Sequence, residues 1–405
     1  MRRLRVRNYD RSPALSRADT AQTPVVVLGV GLSALGTVRS LGRAGLEPYL
    51  ACPKGDLAGR TRWARGRVLH IPETVDPQVL GGALEQLGLK GAVLVPCTDE
   101  WSEAAAKLSE SSGGAFPTTA PDPAHVELFV DKLRFAETVE KLDVPHPRTI
   151  AVDDESELDG IELEGMFLKP RNSQLFARRY RRKALTFENE AGARAAFRMI
   201  HDIGAGAVLQ EYIPGPPTAH YFVDGFSDRD GTIVALFARQ RLRMFPLDFG
   251  NSTIMVSVEL AEVAGAVESL ERLLPATGYR GIFSAEFKRD PRDGLFKILE
   301  VNSRPWWFIE FATLCGVDVS VLAYRDALGL DLAEVGPYTV GMRCVLFPED
   351  LRAFLALHRK RELSTVTWIR SWIGAKSAVF TTSDPLPALS LVLGLSRRLL
   401  RHRSR

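Results

Sequence analysis

Residues 281–307 read GIFSAEFKRDPRDGLFKILEVNSRPWW. Two mixed apolar and polar runs, 282–289 and 295–302, flank Asp290-Pro291-Arg292-Asp293-Gly294. That pentapeptide is turn chemistry, because proline fixes one φ and glycine permits φ > 0. The stretch predicts a β-hairpin. Side chains alternate faces along a strand. Glu286, Glu300 and Asn302 share parity, so an odd-length turn centred near Arg292 puts all three on one face. Two carboxylates and an amide gathered there repel unless a cation joins them. Oxygen ligands of this kind suit Mg2+, which also takes waters and substrate phosphates. Arg304 lies just beyond Asn302, where a guanidinium can clamp a phosphate. On these residues alone, a surface hairpin with solvated carboxylates is the commoner outcome.

Working outward, 405 residues are long for a single core and suggest two to three domains. A hydrophobic content of 45% and a charged content of 25% fit an ordinary globular protein. The net charge of +3 is too small to make nucleic acid the main partner. Cys52, Cys97, Cys315 and Cys344 are far apart with no CxxC pair. This argues against a disulfide framework and a zinc site and fits a reducing cytoplasm, the expected localisation. No segment reaches the roughly 18 apolar residues that a membrane helix needs. The first 22 residues are basic without an apolar h-region, so they read as a disordered leader rather than a secretory signal.

Pro24-Val25-Val26-Val27-Leu28-Gly29 reads as a buried parallel strand, and Gly29-Val30-Gly31-Leu32-Ser33-Ala34 opens a helix. The second unit matches G-x-G-x-x-G/A. The next strand ends in Cys52-Pro53-Lys54 with no acid at its tip to hold a ribose, and Asp56 falls in a loop. A glycine-tightened turn in a Rossmann-like domain is therefore preferred to a nicotinamide site. Residues 91–96 read as another buried strand and 101–110 as helix. Three prolines in 117–123 mark a linker, with a domain boundary near 120. Residues 125–143 form one strongly periodic helical stretch containing Asp131-Lys132. Met166-Phe167-Leu168-Lys169-Pro170 is a strand ending at a lysine, and 171–183 (RNSQLFARRYRRK) is a basic loop without glycine. Ala207-Val208-Leu209-Gln210-Glu211-Tyr212-Ile213 is a strand running into a stiff Pro-Gly-Pro-Pro turn. Residues 220–226 and 232–239 pair as antiparallel strands, and 263–274 is a helix. Residues 342–347 suit an added strand. Residues 386–395 are apolar, and Arg397, Arg398, Arg401, Arg403 and Arg405 follow. Packing on the protein with a solvated basic end is the preferred reading of that tail. Weak peripheral contact with an anionic membrane is the alternative.

Lys132, Lys169, the 210–213 strand end and the Glu286/Glu300/Asn302/Arg304 hairpin stand in an order that resembles the ATP-grasp superfamily. The likeness is to its carbamoyl-phosphate-synthetase-like and carboxylate–amine ligase branch, and it covers roughly residues 24–325. Glu300-Val301-Asn302-Ser303-Arg304 looks like the family's E-x-N-x-R motif, with Glu286 as the second acidic ligand. Phe249-Gly250-Asn251-Ser252-Thr253 resembles its G-[DN]-S segment. The resemblance implies an α/β and α+β chain. A Rossmann-like pre-ATP-grasp domain at 23–120 follows the 1–22 leader. A two-subdomain ATP-grasp fold spans 121–330, with a smaller lid subdomain at about 148–213. A C-terminal extension occupies 331–405.

It also implies ATP and one or two Mg2+ ions, with Mn2+ as a substitute. Glu286, Glu300 and Asn302 are then the metal ligands. Lys132 and Lys169 lie on the phosphates. Gln210, Glu211, Tyr212 and Ile213 read adenine, with His220 at the ribose. Arg304 and Lys169 are the catalytic cations. The implied reaction is ATP-dependent ligation of a small carboxylate to an amine through an acyl phosphate. A nucleotide-binding protein without catalysis and an NAD-dependent oxidoreductase are the alternatives. One departure is plain. The family closes its phosphates under a glycine-rich loop, and 171–183 is instead basic, either a side-chain lid or a solvated loop. Trp306-Trp307 either walls an acceptor pocket or packs in the core. The identities of acid and amine and the oligomeric state have no signature in the sequence.

Overall fold

A computed structural model describes residues 23–72, 76–172, 176, 179–180 and 182–392. The basic leader, Arg178 and Arg181 of the basic loop, and the arginines from 397 onward lie outside the described residues. Three sheets organise the chain. The first is parallel, in the order β3-β2-β1-β4, from Val25–Leu28 (β1), Tyr49–Cys52 (β2), Val68–His70 (β3) and Val93–Pro96 (β4). All of β1 and β4 is buried, as expected of short apolar strands covered on both faces. Helix Gly31–Arg43 follows β1. Gly29 between them has φ +157°, and a Cβ there would lie 2.7 Å from Cys97 Cβ, so only glycine fits.

The second sheet is small and antiparallel, β5-β7-β6, from Thr149–Val152 (β5), Met166–Pro170 (β6) and Ala207–Glu211 (β7). Helix Glu190–His201 covers it, burying Ala193, Ala196, Phe197 and Ile200. The third sheet has seven strands in the order β12-β11-β8-β9-β10-β13-β14. They are His220–Ser227 (β8), Ile233–Phe245 (β9), Asn251–Val258 (β10), Gly281–Arg289 (β11), Phe296–Asn302 (β12), Arg343–Val345 (β13) and Lys376–Ser377 (β14). The strand expected within 342–347 is β13, antiparallel to β10.

Two sequence expectations need correction. The periodic stretch 125–143 is not one helix. Asp131 breaks it into Pro123–Val130 and Lys132–Lys141, because its carboxylate caps the second helix by accepting from the N–H groups of Leu133 and Arg134. Capping leaves Lys132 in the first turn, facing the cleft. The hairpin turn is not odd either. Asp290 N–H donates to the Leu295 carbonyl, so the connection 291–294 is even. A one-residue bulge then shifts the register from Phe287 opposite Ile298 to Glu286 opposite Glu300. That bulge, at Leu299, brings the acidic residues onto one face.

One apolar cluster joins distant parts of the chain. It contains Val25, Val27 and Leu35 together with Trp306, Ile309, Phe311, Cys344 and Val379. A buried polar network crosses it. Arg39 is fully buried and donates from Nε to Asp384 Oδ2 (2.9 Å), from Nη1 to Glu310 Oε2 (2.9 Å) and from Nη2 to the Val379 carbonyl (2.8 Å). Asp384, also fully buried, accepts further from Thr61 Oγ1 and the Arg62 N–H. Residues near 384 are thereby tied to the first sheet. Asp384→Ala leaves Arg39 and Thr61 short of a buried acceptor, and is expected to cost about 3 kcal/mol of unfolding free energy. Chemical denaturation measures this, and a cost under about 1 kcal/mol, the worth of an exposed pair, contradicts it.

Candidate active site

The hairpin β11–β12 sets the site. Glu286 and Glu300 face each other directly across the two strands, and Asn302 lies opposite Ser284. Two carboxylates at cross-strand distance repel, and the surroundings answer with cations. Glu286 Oε1 accepts from Arg241 Nη2 (2.9 Å) and lies 2.8 Å from His220 Nδ1. Lys132 Nζ lies 3.7 Å from Glu300 Oε2, and Asn302 Nδ2 donates to Glu300 Oε1 (3.3 Å). Burial pushes the Glu286 carboxyl up, but Arg241 and His220 outweigh it and hold the group far below the usual range. Burial likewise opposes ionisation of Glu300, and Lys132 overcomes it. Burial lowers the pKa of His220 despite Glu286 beside it. A neutral imidazole so placed carries its proton on Nδ1 and donates it to Glu286.

A cavity of about 320 Å³ opens over this face, between the small sheet and the seven-stranded sheet. Lys132, Lys169, Gln210, Glu211, Tyr212, Ile213, His220, Glu286, Glu300, Asn302 and Arg304 all line it. Every site residue expected from the sequence is therefore in one place. Lys169, the penultimate residue of β6, donates to Gln210 Oε1 (2.9 Å), and Gln210 donates on to Thr149 Oγ1 (3.0 Å). Burial, helped by the charge of Lys132, brings the Lys169 pKa down to about 8. At one end of the cavity the rings of Phe167, Tyr212 and Phe249 cluster with centroids 5.0–6.3 Å apart. The Glu211 N–H is bonded to the Arg148 carbonyl, so edge contacts there fall to its own carbonyl and to Ile213. The Glu211 side chain faces away, with Oε1 2.5 Å from Arg292 Nη2.

Arg304 reaches toward the parallel sheet, donating from Nε to Asp99 Oδ1 (2.9 Å) at the start of helix Asp99–Ser111. Trp306 is buried in the core cluster and Trp307 is exposed, and neither lines the cavity. The tryptophan pair does not wall the cleft.

Several lining residues escaped the sequence reading. Arg241 lies on β9, where Arg239-x-Arg241-x-Arg243 puts three guanidiniums on one face. Each is bonded to a carboxylate: Asp224, Glu286 and Asp350 in turn. An arginine at every second strand position was the available signal. Lys288 lies two positions beyond Glu286 on β11. Its Nζ sits 4.7 Å above the Tyr212 ring, and burial lowers its pKa to about 8. Lys183 was not missed: it ends the basic loop expected as a side-chain lid or a solvated segment, and it donates to Asn251 Oδ1 (2.9 Å), which brings that end of the loop to the cavity.

The donor set of Glu286, Glu300 and Asn302 fits a hard divalent cation, since both carboxylates are ionised and the third group offers an amide oxygen. The nicotinamide reading fares differently. Both carboxylate oxygens of Asp56 lie 3.1 Å from the Gly31 N–H. That helix N-terminus, where a dinucleotide pyrophosphate would sit, already holds the protein's own anion. All four cysteines are buried free thiols, and burial pushes Cys52 and Cys97 up to about 12.

No protein-family model matches the sequence. A curated relative, D-aspartate ligase from Enterococcus faecium, is 24% identical over 250 residues, which are 58% of this chain and 59% of the relative. The chain thus matches under two thirds of that relative's length. Among solved structures, N5-carboxyaminoimidazole synthetase from Staphylococcus aureus superposes with a TM-score of 0.61 at 14% identity, covering 79% of this chain and 80% of that one. Biotin carboxylase from Campylobacter jejuni gives 0.64 at 16%, covering 80% and 75%. The L-amino acid ligase from Bacillus licheniformis gives 0.57 at 14%, covering 76% and 74%. The parallel sheet, the small antiparallel sheet and the seven-stranded sheet with its acidic hairpin together have the ATP-grasp fold.

Proposed function

We propose that the protein is an ATP-dependent ligase that activates a small carboxylate as an acyl phosphate and joins it to an amine or similar nucleophile. The convergence of Lys132, Lys169, Glu286, Glu300, Asn302 and Arg304 on one cavity carries this reading. Adenine would rest among Phe167, Tyr212 and Phe249, with its edge toward the Glu211 carbonyl and Ile213. The phosphates would then point toward the hairpin. ATP carries about four negative charges, and Lys132 and Lys169 are flexible point charges suited to its oxygens. Glu286, Glu300 and Asn302 would hold Mg2+, as one ion or two, with Arg241 and His220 orienting Glu286. Mg2+ bound there would supply charge neutralisation for the triphosphate.

The substrate carboxylate attacks the γ-phosphorus. The bond to the β,γ-bridging oxygen breaks, and ADP departs with that electron pair. The amine lone pair then attacks the acyl carbon, phosphate leaves with the C–O electrons, and the amine proton passes to solvent. Arg304 stands beside the reacting phosphoryl and stabilises its charge. Asp99 orients that guanidinium. No side-chain nucleophile is required. The likeness to a D-aspartate ligase makes D-aspartate the first acid to test.

Three outcomes follow from this arrangement. Glu300→Gln should lower ADP release by about 10²–10³-fold, as loss of a charged transition-state contact does, with an unchanged melting temperature. Unaltered turnover contradicts the metal assignment. Mg·ATP should raise the melting temperature and NAD should not. Stabilisation by NAD instead contradicts the nucleotide assignment. The third is a pH dependence. Lys169 is protonated below about 8 and neutral above, so phosphate binding there takes up a proton. The ATP Kd should be constant well below that pH and rise above it by at most about tenfold per pH unit. Lys169→Met should abolish the rise, and Lys288→Met should keep it. A flat profile in the parent protein contradicts the role of Lys169.

A further inference from the structure

The last described part of the chain carries a surface that the ligase reading does not use. Helix Thr365–Trp372 is amphipathic with its larger rings turned inward. Trp368 and Trp372 donate from Nε1 to Asp350 Oδ2 (2.8 and 2.9 Å), and Trp368 stacks on Phe354. Its outward stripe is aliphatic, Val366 and Ile369, and continues at the capping residue Ile373, which is 72% exposed. Residues 386–392 are also helical. Ala388 and Leu391 pack on the core, and Leu386, Leu389 and Val392 point to solvent. With Phe380, this makes seven of the fifteen large apolar side chains exposed among the described residues, all within 366–392. Single exposed apolar residues are ordinary, but two separate outward stripes in so short a stretch are not.

Charge runs with them. Residues 359–405 contain ten lysines and arginines and only two acids, Glu362 and Asp384. The whole chain is +3, so residues 1–358 carry a net −5. Asp384 is consumed by Arg39 in the interior. Arg359, Lys360, Arg361, Arg370 and Lys376 are all exposed and have no carboxylate partner among the described residues. The sequence from 393 adds five more arginines and no acid. Nucleic acid would ask for the cations without the aliphatic stripe, and a protein partner for the stripe without so one-sided a charge. Aliphatic side chains flanked by unpaired cations match the boundary of a bilayer with anionic headgroups.

We infer that this surface docks the protein on anionic membranes, with Val366, Ile369, Ile373, Leu386, Leu389 and Val392 entering the headgroup boundary and the surrounding basic residues facing the lipid phosphates. The inference does not rest on the ligase reading, because neither ATP nor turnover enters it. Cosedimentation of the full chain with lipid vesicles tests it. Binding is expected to vesicles of phosphatidylglycerol and phosphatidylcholine, and not to phosphatidylcholine alone. The combined variant Val366→Ser, Ile369→Ser, Ile373→Ser removes only exposed side chains, so its melting temperature should be unchanged. Its partition onto the mixed vesicles should fall about tenfold or more, in keeping with the apolar area lost. Failure of the parent protein to bind the mixed vesicles overturns the inference. So does equal binding by the variant, which would mean charge adsorption alone. A concentration-dependent dimer abolished by the same variant, without vesicle binding, overturns it in favour of a second copy of the chain.

Discussion

Glu286 and Glu300 face each other across one hairpin, and their mutual repulsion is the constraint that the rest of the site answers. Buried carboxylates stay ionised only where cations offset the loss of water. Here each has its own. Arg241 and the neutral His220 hold Glu286, and Lys132 approaches Glu300. The remaining cations of the cleft, Lys169, Lys183, Lys288 and Arg304, are bonded to neutral groups, lie over a ring, or reach Asp99 at the start of helix Asp99–Ser111. The cleft therefore gathers two ionised carboxylates, the kind of oxygen donor a hard cation takes, beside several cations.

Keeping those charges in place takes support from well outside the cleft. The bulge at Leu299 sets the acidic face. Asp131 ends one helix and caps the next, so that Lys132 emerges at the cleft rather than along a helix side. Arg243, next on the Arg241 face, is held by the buried Asp350, which also accepts from Thr253, Trp368 and Trp372. The segment beyond residue 330 is thus part of the scaffold: β13 extends the main sheet, Asp350 anchors the arginine row, and Asp384 secures the first sheet through Arg39. The surface of that same segment remains available for other contacts.

The sequence was informative where chemistry is local. A hairpin with alternating acids, lysines beside strand ends and a glycine turn after an apolar run each carry a short-range signature, and the structure brings their residues to one cavity. What escaped depended on pairing. The evenness of the turn and the compensating bulge cannot be seen in a parity count, because a bulge restores the face that an even loop would lose. Arg241 lies beyond the 232–239 run that the sequence marks as strand, and Lys288 lies on a strand whose signal is carried by Glu286. Asp56 lies in a loop 25 residues from Gly31 in sequence, yet folding returns its carboxylate to the Gly31 N–H. The exposure of Leu386, Leu389 and Val392 was equally hidden, since an apolar run reads the same whether or not a partner covers it.

In the proposed reaction a carboxylate oxygen attacks the γ-phosphorus of ATP in this cleft. An acid substrate labelled with 18O in its carboxylate tests it directly. If the acyl phosphate forms and is then cleaved by the amine, one labelled oxygen moves into inorganic phosphate and shifts its 31P resonance. Phosphate carrying one 18O should appear in step with ADP formation. Turnover that yields only unlabelled phosphate would contradict it.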